Sequence, residues 1–181
     1  MNSERIEIVN QQGTTVGHAT RQEAYEQGLL HRAVTVVVIN SKGEIYLQQR
    51  SLQKDALPMY WDISVAEHPK PGESYEDAAR RGMREELSID YPTDPRLLRG
   101  LHPQTSEFEG SGLTLRENEL VQLYVAFFDG EIVINPEEVC DGKFVSPGEL
   151  QVLIGDSATR FTPWGIEELS YILQHPEAIS R

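Results

Sequence analysis

One run of residues, His31–Asn40, restricts the possible folds of this chain more than any other stretch. Its sequence, HRAVTVVVIN, is an almost continuous series of β-branched residues. Such residues favour strands, and a strand without polar alternation is typical of one that is covered on both faces. The run therefore predicts a buried central strand.

Further strands can be predicted on either side of that run. Glu119–Phe128 is a second strong strand, and the turn Ser41–Gly43 leads into a hairpin strand, Glu44–Arg50. Alternation along the hairpin strand is predicted to point Ile45 and Leu47 inward, and Tyr46 and Gln48 outward. Other predicted segments are strands at 4–10, 14–19, 61–66, 97–101 and 142–145, a mildly helical stretch at 21–30 and a loop at 106–115.

Two late helices have clear start signals. Ser146 to Glu149 form a capping box with proline at the first helical position, which starts a helix to about residue 154. Thr162 and Pro163 open the last helix in the same way, and Pro176 ends it. Its buried face is predicted to carry Ile166, Leu169, Ile172 and Leu173. Strands dominate early and helices fall at a few places, so the predicted class is α+β, with residues 1–181 as a single domain.

Charge and cysteine content narrow the classes of partner. The chain has 16 basic and 29 acidic residues, a net charge of −13, which argues against binding a nucleic-acid polymer. A small diphosphate remains compatible if metal ions or local basic residues bridge the like charges.

Cys140 is the only cysteine, which excludes an intramolecular disulfide and fits a reducing compartment. There is no long apolar run and no signal-peptide pattern, so we expect no membrane contact and a soluble, cytoplasmic protein. Its oligomeric state stays open, a homodimer included.

The stretch Gly72–Ile89, GESYEDAARRGMREELSI, predicts an amphipathic helix. Ser74 can cap its start, where acidic residues favour the helix dipole, and one apolar stripe is formed by Tyr75, Ala79, Met83 and Leu87. Glu85 and Glu86 emerge near the other end, where carboxylates oppose the dipole. Either these two are a solvated helix end, or a cation lies near them, for which a divalent metal is the obvious candidate.

This stretch resembles a Nudix box, the pattern G-x5-E-x7-R-E-U-x-E-E-x-G-U in which U is aliphatic. The residues at matching positions are Glu73, Arg81, Met83, Glu85, Glu86 and Ile89, and those that depart from the pattern are Glu67, Gly82 and Ser88. The resemblance implies the Nudix fold, a mixed sheet between helices. It also implies hydrolysis of a diphosphate linked to another group, with Mg²⁺ or Mn²⁺ held by Glu73, Glu85 and Glu86.

The departures at 67 and 82 leave two interpretations open. The family has Gly at the first position and a metal-cluster Glu at the second, and this chain has the two reversed. In one interpretation, Glu67 points its carboxylate into the space that Gly82 leaves, so the charge stays in the metal cluster. In the other, two independent losses occurred and the domain binds without cutting.

Outside the box, the chain resembles type 1 isopentenyl-diphosphate isomerases and the Nudix hydrolases nearest to them. The matching segments are LHRAV at 30–34, LQQRSLQK at 47–54, WDISVAEHP at 61–69, ENE at 117–119 and FTPWG at 161–165. The resemblance implies metal ligands at His31, His68, Glu117 and Glu119, although Ala24 replaces a further family histidine. The histidines could instead be structural, and the two glutamates, which share one face of a strand, could be a solvated edge.

Two further positions bear on the reaction and the substrate. Ala66 stands where the isomerases carry a cysteine that transfers a proton, and because alanine cannot do so, we expect isomerase activity to be absent. Arg50 and Lys54 match basic residues that hold the isomerase diphosphate, although they could be ordinary surface charges. Trp164 could line a pocket or belong to the core.

The sequence therefore predicts a Mg²⁺-dependent Nudix hydrolase of a small nucleoside or organic diphosphate. Its catalytic candidates, which would bind metal or orient the water, are Glu67, Glu85, Glu86 and Glu119. The alternative is a catalytically impaired Nudix domain that binds a phosphorylated ligand or a protein partner, and the third candidate is a divergent isomerase. The substrate itself depends on segments 51–60 and 101–116, from which no pocket can be derived.

Overall fold

The computed structural model describes residues 4–90, 93–110 and 113–179. The strands are β1 (Arg5–Val9), β2 (Thr15–Thr20), β3 (His31–Ile39), β4 (Ile45–Arg50), β5 (Trp61–Asp62), β6 (Val65–Glu67), β7 (Arg96–Gly110), β8 (Leu113–Phe127) and β9 (Val139–Val145). The helices are α1 (Arg21–Gln27), α2 (Tyr75–Leu87), α3 (Pro147–Gly155) and α4 (Pro163–Gln174), followed by a 3₁₀ turn at Pro176–Ile179. In these ranges, no helix is long and apolar enough to span a membrane.

The strand β3 is the centre of a mixed sheet. It runs parallel to β8 along its whole length, from the pair His31 and Glu119 to the pair Ile39 and Phe127. Its antiparallel neighbours are β1, β6 and β4. Strand β7 pairs with β8, and β9 pairs with β4. Strand β3 therefore has hydrogen-bonded neighbours on both sides, with β8 on one and the antiparallel strands on the other.

Both faces of β3 are buried, as the β-branched run predicts. Val34, Val36 and Val38 pack on the side of α2, against Ala79, Met83 and Leu87 among others. The alternate residues Val37 and Ile39 belong to the opposite face, where Leu150 of α3 and Leu169 and Ile172 of α4 complete the core. Fully burying aliphatic side chains of this size contributes about 1.5–3 kcal/mol each. The predicted α+β class, with a mixed sheet between helices, is confirmed.

The helix starts follow the sequence signals closely. The hydroxyl of Ser74 accepts from the backbone N–H of Asp77 at the start of α2, and Ser146 and Glu149 form the predicted capping box of α3. At the end of α2, Ser88 has a left-handed backbone with φ +54°. The Nudix pattern has glycine at that position, and a left-handed cap explains why, since only glycine adopts it without strain.

Four segment predictions are wrong in detail. Residues 106–115 are not a loop: Ser106–Gly110 ends β7 and Leu113–Leu115 begins β8 in a long hairpin, while residues 111 and 112 lie outside the described part. The predicted strand 61–66 is two short strands, which pair with β4 and β3 respectively. Tyr46 and Gln48 are buried, not outward, because the sheet is covered on both faces. Ile166 is 37% exposed, and Trp164 and Glu168 are buried on α4 instead.

Candidate metal and phosphate site

A cavity of about 330 Å³ opens where β6, the start of β8 and the segment after β4 meet α1, α2 and α4. Its walls are mostly charged, and the charged residues that line it include Arg50, Lys54, Glu67, His68, Lys70, Arg81, Glu85, Glu117, Glu119 and Glu138. Most of the predicted site residues therefore come together in space, although they are spread over three quarters of the sequence. Three of the predicted site residues, His31, Glu73 and Glu86, are not among the lining residues.

The side chain of Glu67 passes directly over Gly82. A β-carbon placed on Gly82 would lie 2.8 Å from Cγ of Glu67 and 2.6 Å from Cγ1 of Val65. The carboxylate of Glu67 accepts a hydrogen bond of 3.0 Å from Nη1 of Arg81. The position of the side chain agrees with the hypothesis that Glu67 uses the space at Gly82, and a role in metal binding stays a prediction.

Arg81 holds the carboxylates of this region in place. Its Nε and Nη2 atoms donate to the two oxygens of Glu73 at 3.0 Å each, and its Nη1 donates to Glu67 and to Glu85 at 3.1 Å. Nη2 also donates to the backbone carbonyl of His68 at 2.9 Å. Because both oxygens of Glu73 are engaged by Arg81, the geometry makes Glu73 a residue that orients Arg81.

Glu86 does not line the cavity and is 1% exposed. Its Oε2 accepts a 2.8 Å hydrogen bond from Nε2 of Gln48, whereas its Oε1 has no hydrogen-bond partner in the described part of the chain. Burial raises the pKa of Glu86 to about 8; the charge of Glu67 adds to the rise and that of Lys54 opposes it. A buried carboxylate oxygen with no partner, near further carboxylates, fits the ligand set of a divalent cation.

A second group of possible ligands is formed by His31, His68 and Glu119. One ligand atom from each lies within 4.8 Å of the others. Nδ1 of His31 donates to the carbonyl of Leu29 at 2.7 Å, so in the neutral imidazole Nε2 carries the lone pair. This atom lies 3.4 Å from Oε1 of Glu119. Because a lone pair and a carboxylate repel each other, a cation or a proton between these two atoms would stabilise them. Metal-binding histidines usually donate their other ring N–H to a carbonyl or a carboxylate, as His31 does to Leu29.

Glu119 and the nearby Glu117 differ in their tendency to carry a charge. Burial alone would raise the pKa of Glu119, but the neighbouring imidazoles of His31 and His68 lower it to about 2. Burial and the charge of Glu119 raise the pKa of Glu117 well above its usual value. Ser106 donates to Glu117 at 2.9 Å. Glu119 is thus a carboxylate held by two histidines, while Glu117 favours its neutral form.

Arg50 and Trp164 form a supporting framework behind the cavity. Nε and Nη2 of Arg50 donate to the carbonyl of Ala56 at 3.1 and 2.8 Å, and Nη1 lies 3.4 Å from Oδ2 of Asp62. The guanidinium also lies 5.3 Å from the ring centroid of Trp164, whose indole N–H donates to Asp62 at 2.9 Å. All three predicted substrate-binding residues line the cavity, and two of them, Arg50 and Trp164, are tied to Asp62.

Sequence reasoning missed several of the residues that complete the site. Gln48 and Asp62 are buried polar side chains whose partners lie far along the chain. The hydroxyl of Tyr25 lies 3.4 Å from Nε2 of His68, directly after Ala24, where the isomerase pattern has a histidine. The replacement of that histidine by Ala24 was the one feature of the sequence that could have drawn attention to Tyr25.

The cavity lacks the chain's one thiol. Cys140 lies on β9, exposed, with its sulfur 3.4 Å from the carbonyl of Arg50 and 3.5 Å from that of Gln49. Ala66, which stands at the cysteine position of the isomerase pattern, lines the cavity. No other residue can supply a thiol, because Cys140 is the only cysteine.

Comparison with known proteins agrees with this architecture. The family model described as NUDIX domain matches residues 29–165. The chain is 34% identical over 173 residues to isopentenyl-diphosphate Delta-isomerase 1 of Photorhabdus laumondii, with 95% of this chain and 96% of that protein covered. It is 37% identical over 152 residues to an isopentenyl-diphosphate Delta-isomerase of Streptomyces coelicolor, with 80% and 72% covered.

Two solved structures have similar folds. A protein of Deinococcus radiodurans aligns with a TM-score of 0.75 and 26% identity, over 93% of this chain and 98% of that one. The MutT protein of Methanosarcina mazei aligns with a TM-score of 0.60 and 17% identity, over 82% of this chain and 95% of that one, and this likeness supports the fold alone. The family match, which spans most of the chain, and the carboxylate-bearing helix α2 lead to the same conclusion: the protein belongs to the NUDIX domain family.

Proposed function

We propose that the protein is a divalent-metal-dependent hydrolase that cleaves a small nucleoside or organic diphosphate. The observation that carries the proposal is the half-buried carboxyl of Glu67, whose side chain lies over Gly82, together with the buried carboxyl of Glu86, which has an oxygen without a described partner. The Nudix pattern has a glutamate at position 82, and its absence from this chain would by itself weaken a metal site. Here Cγ of Glu67, from β6, lies 2.8 Å from the position of a β-carbon at residue 82, which supports the inference that Glu67 supplies the acidic group that the pattern has at 82.

The roles of the individual residues follow from their positions. Glu67, Glu85 and Glu86 would hold Mg²⁺ or Mn²⁺, with Arg81 fixing two of them. The bound metal would neutralise phosphate oxygens and lower the pKa of a water molecule. Glu119 is kept ionised by its two histidines and would be available to bind metal or to orient that water molecule.

The two ligand groups suit different metals. The carboxylates near Glu86 are oxygen donors, which Mg²⁺ and Mn²⁺ prefer. His31, His68 and Glu119 include two imidazoles, which suit Mn²⁺ or Zn²⁺ better than Mg²⁺. We infer that full activity depends on Mg²⁺ or Mn²⁺ at the carboxylates, and that the histidine group selects a softer ion.

Isomerisation is the second candidate, because the relatives with the highest identity reported above are named isopentenyl-diphosphate isomerases. Ala66 argues against it: a proton-transfer group would be missing from the cavity wall. A third candidate is a domain that binds a phosphorylated ligand or a protein partner without cutting, favoured by the departures at Gly82 and Ser88. The net charge of −13 favours a small diphosphate over a nucleic-acid polymer in each case.

Phosphate release distinguishes these candidates. Nucleotide, sugar, coenzyme and prenyl diphosphates would be incubated with Mg²⁺ or Mn²⁺, using coupled phosphatase where needed, and isopentenyl diphosphate would also be analysed for an isomer. Each hit would be repeated with Glu86→Gln, Glu67→Gln and Glu76→Gln, the last an exposed residue on the outer side of α2. We expect turnover that falls at least about a hundredfold in the first two variants and stays unchanged in the third.

Two outcomes would contradict the proposal. Formation of an isomer of isopentenyl diphosphate would favour the second candidate. Absence of turnover on every substrate, together with absence of divalent-metal binding in calorimetry, would favour a domain that binds without cutting.

A further inference from the structure

Lys54 occupies a defined place beside the carboxylates of the cavity. It ends a short turn after β4, in which Ser51 accepts from the backbone N–H of Lys54 at 3.3 Å. The turn is tied to the segment before β9, because Ser51 donates to the carbonyls of Glu137 and Glu138 at 2.8 and 3.0 Å. The backbone around Lys54 is thereby fixed, while its four-carbon side chain keeps its own freedom.

The ammonium group of Lys54 lies among carboxylates. Nζ contacts Oε2 of Glu138. Burial raises the pKa of Glu67 and of Glu86, and the charge of Lys54 opposes this rise in both. Lys54, Glu67 and Glu138 line the same cavity. Glu67 and Glu86 are two of the three glutamates that the proposed function assigns to the divalent metal, and together with Glu138 we name them the acidic cluster. An ammonium that contacts this cluster and a dication bound to it repel each other, so the two cations compete for the cluster.

Two arginines that line the cavity are held more firmly than Lys54. Arg81 donates to three carboxylates and a carbonyl, and Arg50 donates to Ala56 and pairs with Asp62. Lys54 has a single carboxylate partner within ion-pair distance among the described residues, and its side chain is 19% exposed. Compared with these two arginines, Lys54 is the cation whose present partner costs less to exchange.

We propose that Lys54 is an exchangeable counter-cation, which neutralises the acidic cluster without metal and moves to the phosphate oxygens of the substrate when a divalent metal binds. A dication at the acidic cluster would repel the ammonium, and a diphosphate in the same cavity would attract it. This inference rests on the proposed function. It adds that metal and diphosphate bind with positive coupling, because each favours the same movement of Lys54.

The inference predicts opposite effects on two affinities when Lys54 is replaced. Lys54→Met removes the competitor, so the acidic cluster binds a divalent ion more tightly in the absence of diphosphate. The same change removes a phosphate contact, so a diphosphate binds less tightly in the presence of the metal. A residue with only a structural role would weaken both.

Calorimetry on chelator-treated protein tests both effects, with Mn²⁺ and then methylenediphosphonate in saturating Mn²⁺ as probes. For Lys54→Met we expect the Kd of Mn²⁺ to fall about tenfold and the Kd of the diphosphonate to rise about tenfold, each near 1.4 kcal/mol. Lys70→Met is the matched control, because Lys70 lines the same cavity but is 56% exposed and 4.0 Å from Glu85. Its two values should stay within about twofold.

Lys54→Gln provides a second neutral variant should the methionine variant fold poorly, and Lys54→Arg should restore diphosphonate affinity. Wild-type protein that binds Mn²⁺, combined with neutral variants that bind it no more tightly, would overturn this inference and leave the proposed function standing. Wild-type protein that binds no Mn²⁺ would overturn both.

Discussion

Cγ of Glu67 lies 2.8 Å from the point that a β-carbon of residue 82 would occupy. The two residues are therefore coupled sterically: the side chain at 67 is compatible with glycine at 82 and with little else. We predict that Gly82→Ala destabilises the protein by about 1–3 kcal/mol, because overpacking against Glu67 and Val65 exceeds the gain in helix propensity of about 0.5–1 kcal/mol.

A double-mutant cycle in urea denaturation measures this coupling. The cost of Gly82→Ala should be smaller in a Glu67→Gly background, where only Val65 remains in the way. Gly148→Ala in α3 is the matched control, because a β-carbon there meets nothing within 4 Å. A cost for Gly82→Ala that does not change when Glu67 is removed would show that the contact is unimportant.

The buried carboxyl of Glu86 predicts a pH dependence of stability in chelator-treated protein. Its pKa is raised from 4.5 to about 8, so the folded state favours the neutral form. The corresponding stabilisation is complete below pH 4.5 and is lost as the pH rises through about 8. Thermal denaturation should therefore show a midpoint that falls over this window in the wild type and falls less in Glu86→Gln.

Addition of Mn²⁺ at pH 8 provides the complementary measurement. The ion should raise the wild-type midpoint, because it replaces the proton on Glu86, and it should raise that of Glu86→Gln much less. Equal pH profiles for the two proteins would contradict the raised pKa of Glu86.

Glu119 is predicted to determine how many divalent ions the protein retains. Its carboxylate lies 3.4 Å from Nε2 of His31 and 3.2 Å from that of His68. Glu119→Gln removes the charge that these atoms share, so the metal content after dialysis against Mn²⁺ or Zn²⁺ should fall by about one ion per chain. His18→Gln, an exposed histidine on β2, should have no effect. Equal metal content in the wild type, Glu119→Gln and His18→Gln would argue that His31, His68 and Glu119 interact with one another and bind no metal.

Asp62 is predicted to be the most sensitive acidic residue for stability. It is fully buried and accepts from Thr162, Trp164 and the backbone of Ile63, beside Arg50. Asp62→Ala leaves the buried guanidinium of Arg50 without its charge partner and should cost about 3–5 kcal/mol. Asp94→Ala breaks an exposed pair with Arg80 and should change stability by at most about 1 kcal/mol. Chemical denaturation compares the two, and similar losses would remove the special role of Asp62.

Local sequence signals predicted those parts of the fold that depend on local interactions. The β-branched run gave β3, and the caps at Ser74 and Ser146 located the starts of α2 and α3, because a cap involves residues three apart. The loop prediction for 106–115 was wrong for a non-local reason. These residues carry two glycines and few β-formers in sequence, and they become strands through pairing with each other across the hairpin.

The candidate site illustrates the same limit. His31 and Glu119 are brought together by the parallel register of β3 and β8. The pattern of residues along either strand does not determine how the two strands are aligned. They could be nominated only through resemblance to a family, and their role as ligands stays a prediction. Gln48 and Asp62 had no such resemblance, and their importance depends entirely on partners that folding brings to them.

The contact between Glu67 and Gly82 also has an evolutionary consequence. Any path between the usual Nudix arrangement and this one, taken by single substitutions, passes through one of two intermediates. One has glutamate at both positions and must place two charged side chains where the present structure has room for one. The other has glycine at both and lacks the carboxylate altogether. We expect the first intermediate to be disfavoured by crowding and the second by the missing charge, so lineages that carry the exchanged pair should rarely revert.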